Sequence, residues 1–215
     1  MRIMLIDDHE LYAAGVRQLL QEVYREAQFD IYLTANDALA GLDGHHHYDL
    51  ILLDLMLPGM KGALFIKAVE ERELLVPVIV LSATESMQSI SEAMDSGASG
   101  FLPKSLNSQQ MREGIEAVLE GQIYIPEEIE KRLVTYKRIE QSTNLQNKAA
   151  DLGITERQFK VLELMVQGLN NQLIAKTLYV SENTVKTHVA ALYKRLGVDN
   201  RLACIKQAEE QELLV

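Results

Sequence analysis

Five side chains able to do chemistry sit at or just past the ends of short apolar runs. Asp7 and Asp8 follow Arg2 to Ile6, Asp54 follows Leu50-Ile51-Leu52-Leu53, Ser82 follows Val78 to Leu81, and Lys104 comes two residues after Gly100 to Leu102. Each has a bland reading when taken alone. Asp54 can start the turn that Pro58-Gly59 completes, Asp7-Asp8 can cap the helix that begins near Glu10, and Ser82 and Lys104 can simply be solvated. As a set they are harder to dismiss. Three carboxylates in one crevice repel one another, and a hard divalent cation relieves that repulsion. Mg²⁺ prefers oxygen ligands, keeps several waters, and is held by one or two carboxylates together with a phosphate. Asp54 is the candidate reactive group.

The elements that must bring these residues together can be read from the chain. The run ending at Asp54 has no polar alternation, which marks a strand buried on both faces of a parallel sheet. Similar segments recur at Arg2 to Ile6, Ile31 to Leu33, Val78 to Leu81 and Gly100 to Leu102, each followed by a helix-length stretch. The alternation predicts an α/β fold with five parallel strands and right-handed crossovers. The first helix carries Tyr12, Val16, Leu19, Leu20 and Val23 on one stripe, and Ile90, Ala93, Met94 and Met111, Ile115, Val118 repeat the spacing. One doubly wound order sets strands one and three side by side at the switch point, which places Asp7 and Asp8 beside Asp54 at the carboxyl edge where ligands bind.

A length of 215 residues favours two domains. No apolar stretch is long enough to span a bilayer, and the amino terminus runs straight into a strand followed by acids, so we expect a cytoplasmic protein without a membrane partner. The single cysteine, Cys204, excludes an internal disulfide. Charge is uneven: residues 1 to 121 hold 8 Lys/Arg against 19 Asp/Glu, whereas 154 to 215 hold 8 against 7. Within 170 to 201, Lys176, Lys186, Lys194, Arg195 and Arg201 face only Glu182 and Asp199, a local basic patch suited to nucleic acid. His45-His46-His47 reads as a solvated loop, because adjacent histidines cannot all face one metal.

Residues 1 to 121 thus form the first domain. Residues 122 to 150 read as a linker, helical from Pro126 through Arg138 and then polar over Gln141 to Asn147. Residues 151 to 215 form an all-α domain. Thr155 and Gln158 make a capping box before Phe159, Leu162, Val166 and Leu169, and a short helix carries Leu173, Ile174 and Leu178. After a turn at Tyr179-Val180, Ser181 caps a third helix with Val185, Val189, Leu192 and Leu196 inward. Its outer face presents Asn183, Thr187, Ala190 and Lys194, flanked by Lys186 and His188. A helix of this kind after a tight turn is how a helix-turn-helix meets the major groove; an ordinary three-helix bundle with a solvated face gives the same pattern.

With these residues in view, residues 1 to 121 resemble the receiver domain of two-component response regulators. The matching residues are Asp7-Asp8, Asp54 within Leu-Leu-Asp-Leu-Met-Leu-Pro-Gly, Ser82, and Gly97 to Lys104. Gly168 to Asn171, Ile174-Ala175, Val180-Ser181, Thr184 to His188 and Lys194 to Val198 resemble the LuxR-type DNA-binding domain. Joined, the two resemble the NarL/FixJ response regulators. The resemblance implies a flavodoxin-like receiver and a four-helix helix-turn-helix domain. It implies that Asp54 takes a phosphoryl group from a histidine kinase. Asp8, Asp54 and the Met56 backbone carbonyl would hold Mg²⁺, with Asp7 acting through water. Lys104 and Ser82 would contact the phosphoryl oxygens, and Phe101 would follow Ser82 in the switch. Lys186 and Thr187 would approach base edges of double-stranded DNA, while Thr184, Lys194 and Arg195 sit near phosphates. Residues 201 to 214 would form a dimerising helix. Pro103 precedes Lys104 and no proline follows it, so a cis bond after the lysine is not expected. Ala190 stands where relatives often carry a polar reader.

The implied function is a transcription factor controlled by phosphorylation, active as a homodimer and not an enzyme beyond handling its own phosphoryl group. Two rivals use the same residues. A receiver-like protein could bind DNA independently of phosphorylation, although every phosphoryl-handling residue is present. An aspartate-nucleophile phosphatase also has a carboxylate at a strand end with Mg²⁺, but it needs a second acid two positions later, where this chain has Met56.

Overall fold

The structure is a computed structural model that describes residues 1–44, 47–83 and 86–214. His45 and His46 lie outside the described residues, and His47 is exposed. The chain divides into two compact units, Met1–Tyr136 and Lys137–Val215.

The first unit is a five-stranded parallel sheet of β1 (Arg2–Ile6), β2 (Gln28–Tyr32), β3 (Leu50–Asp54), β4 (Val78–Ser82) and β5 (Gly100–Pro103), in the order β2-β1-β3-β4-β5. Crossover helices cover both faces, which is why β3 and β4 are buried along their whole length. Ile3, Leu5, Leu50, Leu52, Ile79, Leu81 and Leu102 pack on α1 (Glu10–Val23) and α5 (Ser108–Leu119). On the opposite face Met4, Ile6, Ile51, Leu53, Val80 and Phe101 pack on α2 (Ala35–Leu42), α3 (Gly62–Glu70) and α4 (Met87–Asp95). Because β1 pairs with β3 with Ile6 opposite Leu53, the next residue on each chain, Asp7 and Asp54, emerges at the same edge. Gly59 takes φ +86 in the turn after β3, a conformation that a side chain would strain.

Three details differ from the sequence reading. The second strand starts at Gln28 rather than Ile31, since pairing with β1 fixes it in the register Arg2 opposite Gln28. Val23 is 40% exposed as the last residue of α1, so the buried stripe of that helix is Ala13, Val16 and Leu20. The polar stretch 141–147 is helical. α6 (Glu127–Asp151) runs for 25 residues without a glycine or proline to stop it. Ile129 and Leu133 from its first half join the core of the first unit, and Leu145 and Ala149 near its end join that of the second. No peptide bond among the described residues is cis.

The second unit adds α7 (Glu156–Val166), α8 (Asn171–Leu178), α9 (Glu182–Leu196) and α10 (Arg201–Glu210). The capping box is present: the Thr155 side chain accepts from the Gln158 N–H, and Gln158 accepts from the Thr155 N–H at 2.9 Å. Asn170, Ser181 and Asn200 cap the other three helices through their side-chain oxygens. Between α8 and α9, Tyr179 takes the left-handed conformation, φ 55 and ψ 42, and Gly197 closes α9 in the same region. Phe159, Leu162, Ile174, Val185, Val189, Leu192 and Cys204 form the core, whereas Val166 is 38% exposed.

Candidate functional site

The carboxyl ends of β1, β3 and β5 bring Asp7, Asp54 and Lys104 together. Asp7 is fully buried and Asp54 nearly so. The Lys104 ammonium lies between them, 2.8 Å from Asp54 Oδ2 and 2.6 Å from Asp7 Oδ2. Both contacts lie within hydrogen-bond distance, and the one to Asp54 Oδ2 has the better alignment. The other oxygens are held by backbone: Met56 N–H donates to Asp54 Oδ1 at 3.0 Å, and His9 N–H donates to Asp7 Oδ1 at 2.9 Å. Burial works against the charge on Lys104, but its bonds to Asp54 and Asp7 outweigh that and hold its pKa above the ordinary value. Ser82 is buried at the end of β4, where its carbonyl accepts the Lys104 N–H at 2.8 Å. Phe101 is fully buried in the core beneath α3 and α4.

Two residues on the same edge escaped the sequence reading of the site. The ring of Tyr12 lies 4.5 Å under the Lys104 ammonium, a cation–π contact that fixes the side of approach. Burial, and then the charges of Asp7 and Asp54, push its phenol up to about 12. Its place on the α1 stripe pointed to the core and not to this edge. His9 follows the acidic pair directly, and its Nδ1 lies 3.0 Å from Asp8 Oδ1 and 3.3 Å from Asp7 Oδ1.

Asp7, Asp8, His9 and Asp54 each offer a ligand atom, all within 4.8 Å of one another. The Lys104 ammonium pairs with Asp7 and Asp54, and Asp8 adds a third carboxylate, so the crevice keeps excess negative charge and an oxygen-rich donor set. That set fits a hard divalent cation such as Mg²⁺.

In the second unit, Asn183, Thr184, Lys186, Thr187, Ala190, Lys194 and Arg195 are all exposed on α9. Several already have partners. Lys186 Nζ pairs with Glu182 Oε1 at 3.0 Å, Thr184 Oγ1 bonds the Ser181 hydroxyl at 2.7 Å, and the Thr187 hydroxyl donates to the Asn183 carbonyl at 3.1 Å. The Arg195 guanidinium lies over Gly153, where a Cβ would come within 2.7 Å of it. Arg201, counted from sequence in the basic patch, instead turns inward and donates to the carbonyls of Met165 at 2.9 Å and Leu169 at 2.6 Å. The end of α7 is closed that way.

A family model described as the response regulator receiver domain matches residues 3–116, and one described as bacterial regulatory proteins, luxR family, matches residues 153–208. The glycerol metabolism activator of Pseudomonas putida is 32% identical over 215 residues, spanning 96% of this chain and 94% of its own. The nitrate/nitrite response regulator protein NarP of Escherichia coli strain K12 is 30% identical over 204 residues, spanning 94% and 91%. Among solved structures, RcsB from Salmonella enterica serovar Typhimurium, bound to a promoter in the presence of the phosphomimetic BeF3⁻, has a TM-score of 0.55 at 22% identity over 96% of this chain and 97% of that one. This last likeness is one of fold. Among the described residues, no helix is long and apolar enough to cross a membrane.

Proposed function

This chain belongs to the two-component response regulators that join a receiver domain to a LuxR-type DNA-binding domain, a family of transcription factors, and from that premise we propose that phosphorylation of Asp54 by a histidine kinase controls its binding to DNA. The observation that carries the reading is the single ammonium of Lys104 shared by two buried carboxylates from different strands. A charged side chain placed this way already lies within reach of any group added to Asp54.

An Asp54 carboxylate oxygen attacks the phosphorus of the kinase phosphohistidine, the bond from phosphorus to the imidazole nitrogen breaks, and an acyl phosphate remains. Asp8, Asp54 and the Met56 carbonyl would hold Mg²⁺, with Asp7 acting through water. The ion would neutralise charge that builds on the phosphoryl oxygens. Lys104 keeps its charge throughout and turns from the carboxylates toward a phosphoryl oxygen, since the acyl phosphate carries more negative charge than the carboxylate it replaces. The Ser82 hydroxyl donates to a second oxygen, and Phe101 fills the space that Ser82 leaves. The chain handles its own phosphoryl group and turns over no separate substrate.

The second unit reads double-stranded DNA in the cytoplasm. Lys186 and Thr187 on α9 approach base edges, and Thr184, Lys194 and Arg195 approach phosphates. Two phosphorylated chains pair to read half-sites roughly 34 Å apart. Incubation with Mg²⁺ and acetyl phosphate should give one acid-stable, base-labile phosphoryl group per chain, and none in Asp54→Asn, whose amide is neither nucleophile nor anionic ligand. Equal labelling of that variant would overturn the assignment.

A further inference from the structure

The turn between α8 and α9 is closed by a residue that its backbone does not suit. The Val180 N–H donates to the Ala175 carbonyl at 3.0 Å and the Tyr179 N–H to that of Lys176 at 3.4 Å, the pair of bonds of a Schellman cap. Such a cap requires the left-handed conformation at the residue that Tyr179 occupies, with φ 55 and ψ 42. Glycine adopts that conformation freely, whereas a Cβ crowds the following carbonyl oxygen. Among the described residues, the other non-glycine residues at positive φ are Glu73 and Glu212, so Tyr179 is the one aromatic held this way.

Packing does not offset the strain. Tyr179 is 95% exposed, while Leu178 and Val180 on either side pack against the core of the second unit. A bulky ring at a strained and solvated position adds nothing to folding, so its use lies in what it meets outside the chain. Its neighbours along the chain are basic and polar: Lys176 is exposed in the last turn of α8, and the exposed residues Ser181 and Thr184 open α9 with hydroxyl groups. A cation and hydroxyl donors close together suit phosphate oxygens.

We propose that the Tyr179 phenol donates a hydrogen bond to a DNA phosphate oxygen, and that the left-handed turn is kept at a cost in stability to present it. The inference rests on the reading of α9 as the helix that meets DNA, and adds a contact that is blind to sequence. A hydroxyl displaces no counterion when it binds, so its loss lowers affinity equally at every salt concentration, unlike the loss of a lysine.

The test uses the full chain, treated with Mg²⁺ and acetyl phosphate, and a random-sequence duplex, since a phosphate contact needs no particular site. Tyr179→Gly relieves the strain, so amide exchange in α8 and α9 should slow by about threefold or more. The same variant should bind the duplex about tenfold more weakly, with an unchanged slope of log affinity against log salt. Better protection combined with weaker binding rules out misfolding as the cause. Tyr179→Phe, which keeps the ring and the strain, should lose the same affinity without the gain in protection. Wild-type affinity in either variant overturns the phosphate contact, and wild-type affinity in both leaves the ring for a protein partner. Exchange that does not slow in Tyr179→Gly overturns the account of the turn. If Lys186→Ala and Lys194→Ala weaken binding while the Tyr179 variants do not, the inference alone falls; if none of the four weakens it, the reading of α9 falls as well.

Discussion

Replacing Lys104 by methionine keeps the length of the side chain and removes its charge. At 2.6 and 2.8 Å from two carboxylates, and with an effective dielectric constant of about 20, each contact is worth roughly 6 kcal/mol of gross attraction. Most of this is offset by the drying of three charged groups, and deleting one member of a buried pair costs about 3–5 kcal/mol because the other is left without a counter-charge. Lys104 keeps 11% of its side-chain surface and Asp8 keeps 33%, so water reaches the crevice and the low end, about 3 kcal/mol, applies. With a urea slope of about 2 kcal/mol per molar, the midpoint of the first unit should fall by about 1.5 M. Mg²⁺ should return most of that loss, since an ion at a hundredfold excess over its Kd stabilises the folded state by about 2.7 kcal/mol. Urea unfolding with and without Mg²⁺, read at the amides of β1 and β3 by hydrogen exchange, measures both quantities. An unchanged midpoint without Mg²⁺ would show that the ammonium does not neutralise Asp7 and Asp54. Failure of Mg²⁺ to stabilise the variant would show that the carboxylates do not form a cation site.

The second unit gives three further expectations. Arg201→Ala should lower its stability by about 1.5–3 kcal/mol, because the carbonyls of Met165 and Leu169 lose a charged donor, and a thermal melt of residues 137–215 measures this. A fragment beginning at 151 would be a poor choice, as it lacks Leu145 and Ala149 from the core. Lys186→Ala should weaken DNA binding and relax sequence preference, whereas Lys194→Ala should weaken all sequences alike; band shifts on matched and scrambled duplexes separate the two. Glu182→Gln should leave stability within about 0.5 kcal/mol, since an exposed pair contributes little, yet strengthen DNA binding by freeing Lys186. Unchanged affinity would place the Lys186 ammonium away from the duplex.

The meeting of Asp7, Asp54 and Lys104 was legible in the sequence because parallel-sheet topology turns strand ends into neighbours. Once Leu50 to Leu53 and Arg2 to Ile6 are adjacent strands, Asp54 and Asp7 must meet. No comparable rule predicts side-chain reach. The Tyr12 ring under Lys104 and the guanidinium of Arg201 on α7 both join residues far apart in sequence, and neither has a local pattern. The length of α6 was misread for a different reason. A run such as Gln141 to Asn147 looks like linker by polarity, but a helix that is polar all round is sustained by internal pairs such as Lys131 with Glu127 at 2.6 Å. The absence of glycine and proline from 127 to 151 was the available signal. The Glu182–Lys186 pair was also visible, at a spacing of four residues on one helix.

The inward turn of Arg201 also bears on how the protein searches a chromosome. Every cation laid on a phosphate releases a condensed counterion, and each one withheld flattens the dependence of log affinity on log salt by about 0.9. Arg201 is withheld by α7, and Lys186 is paired with Glu182. Lys176, Lys194 and Arg195 are the exposed cations of the patch that have neither constraint. Loose non-specific binding shortens each sliding excursion, so this protein should find its sites mainly by repeated encounters from solution, and its search time should change little between low and physiological salt.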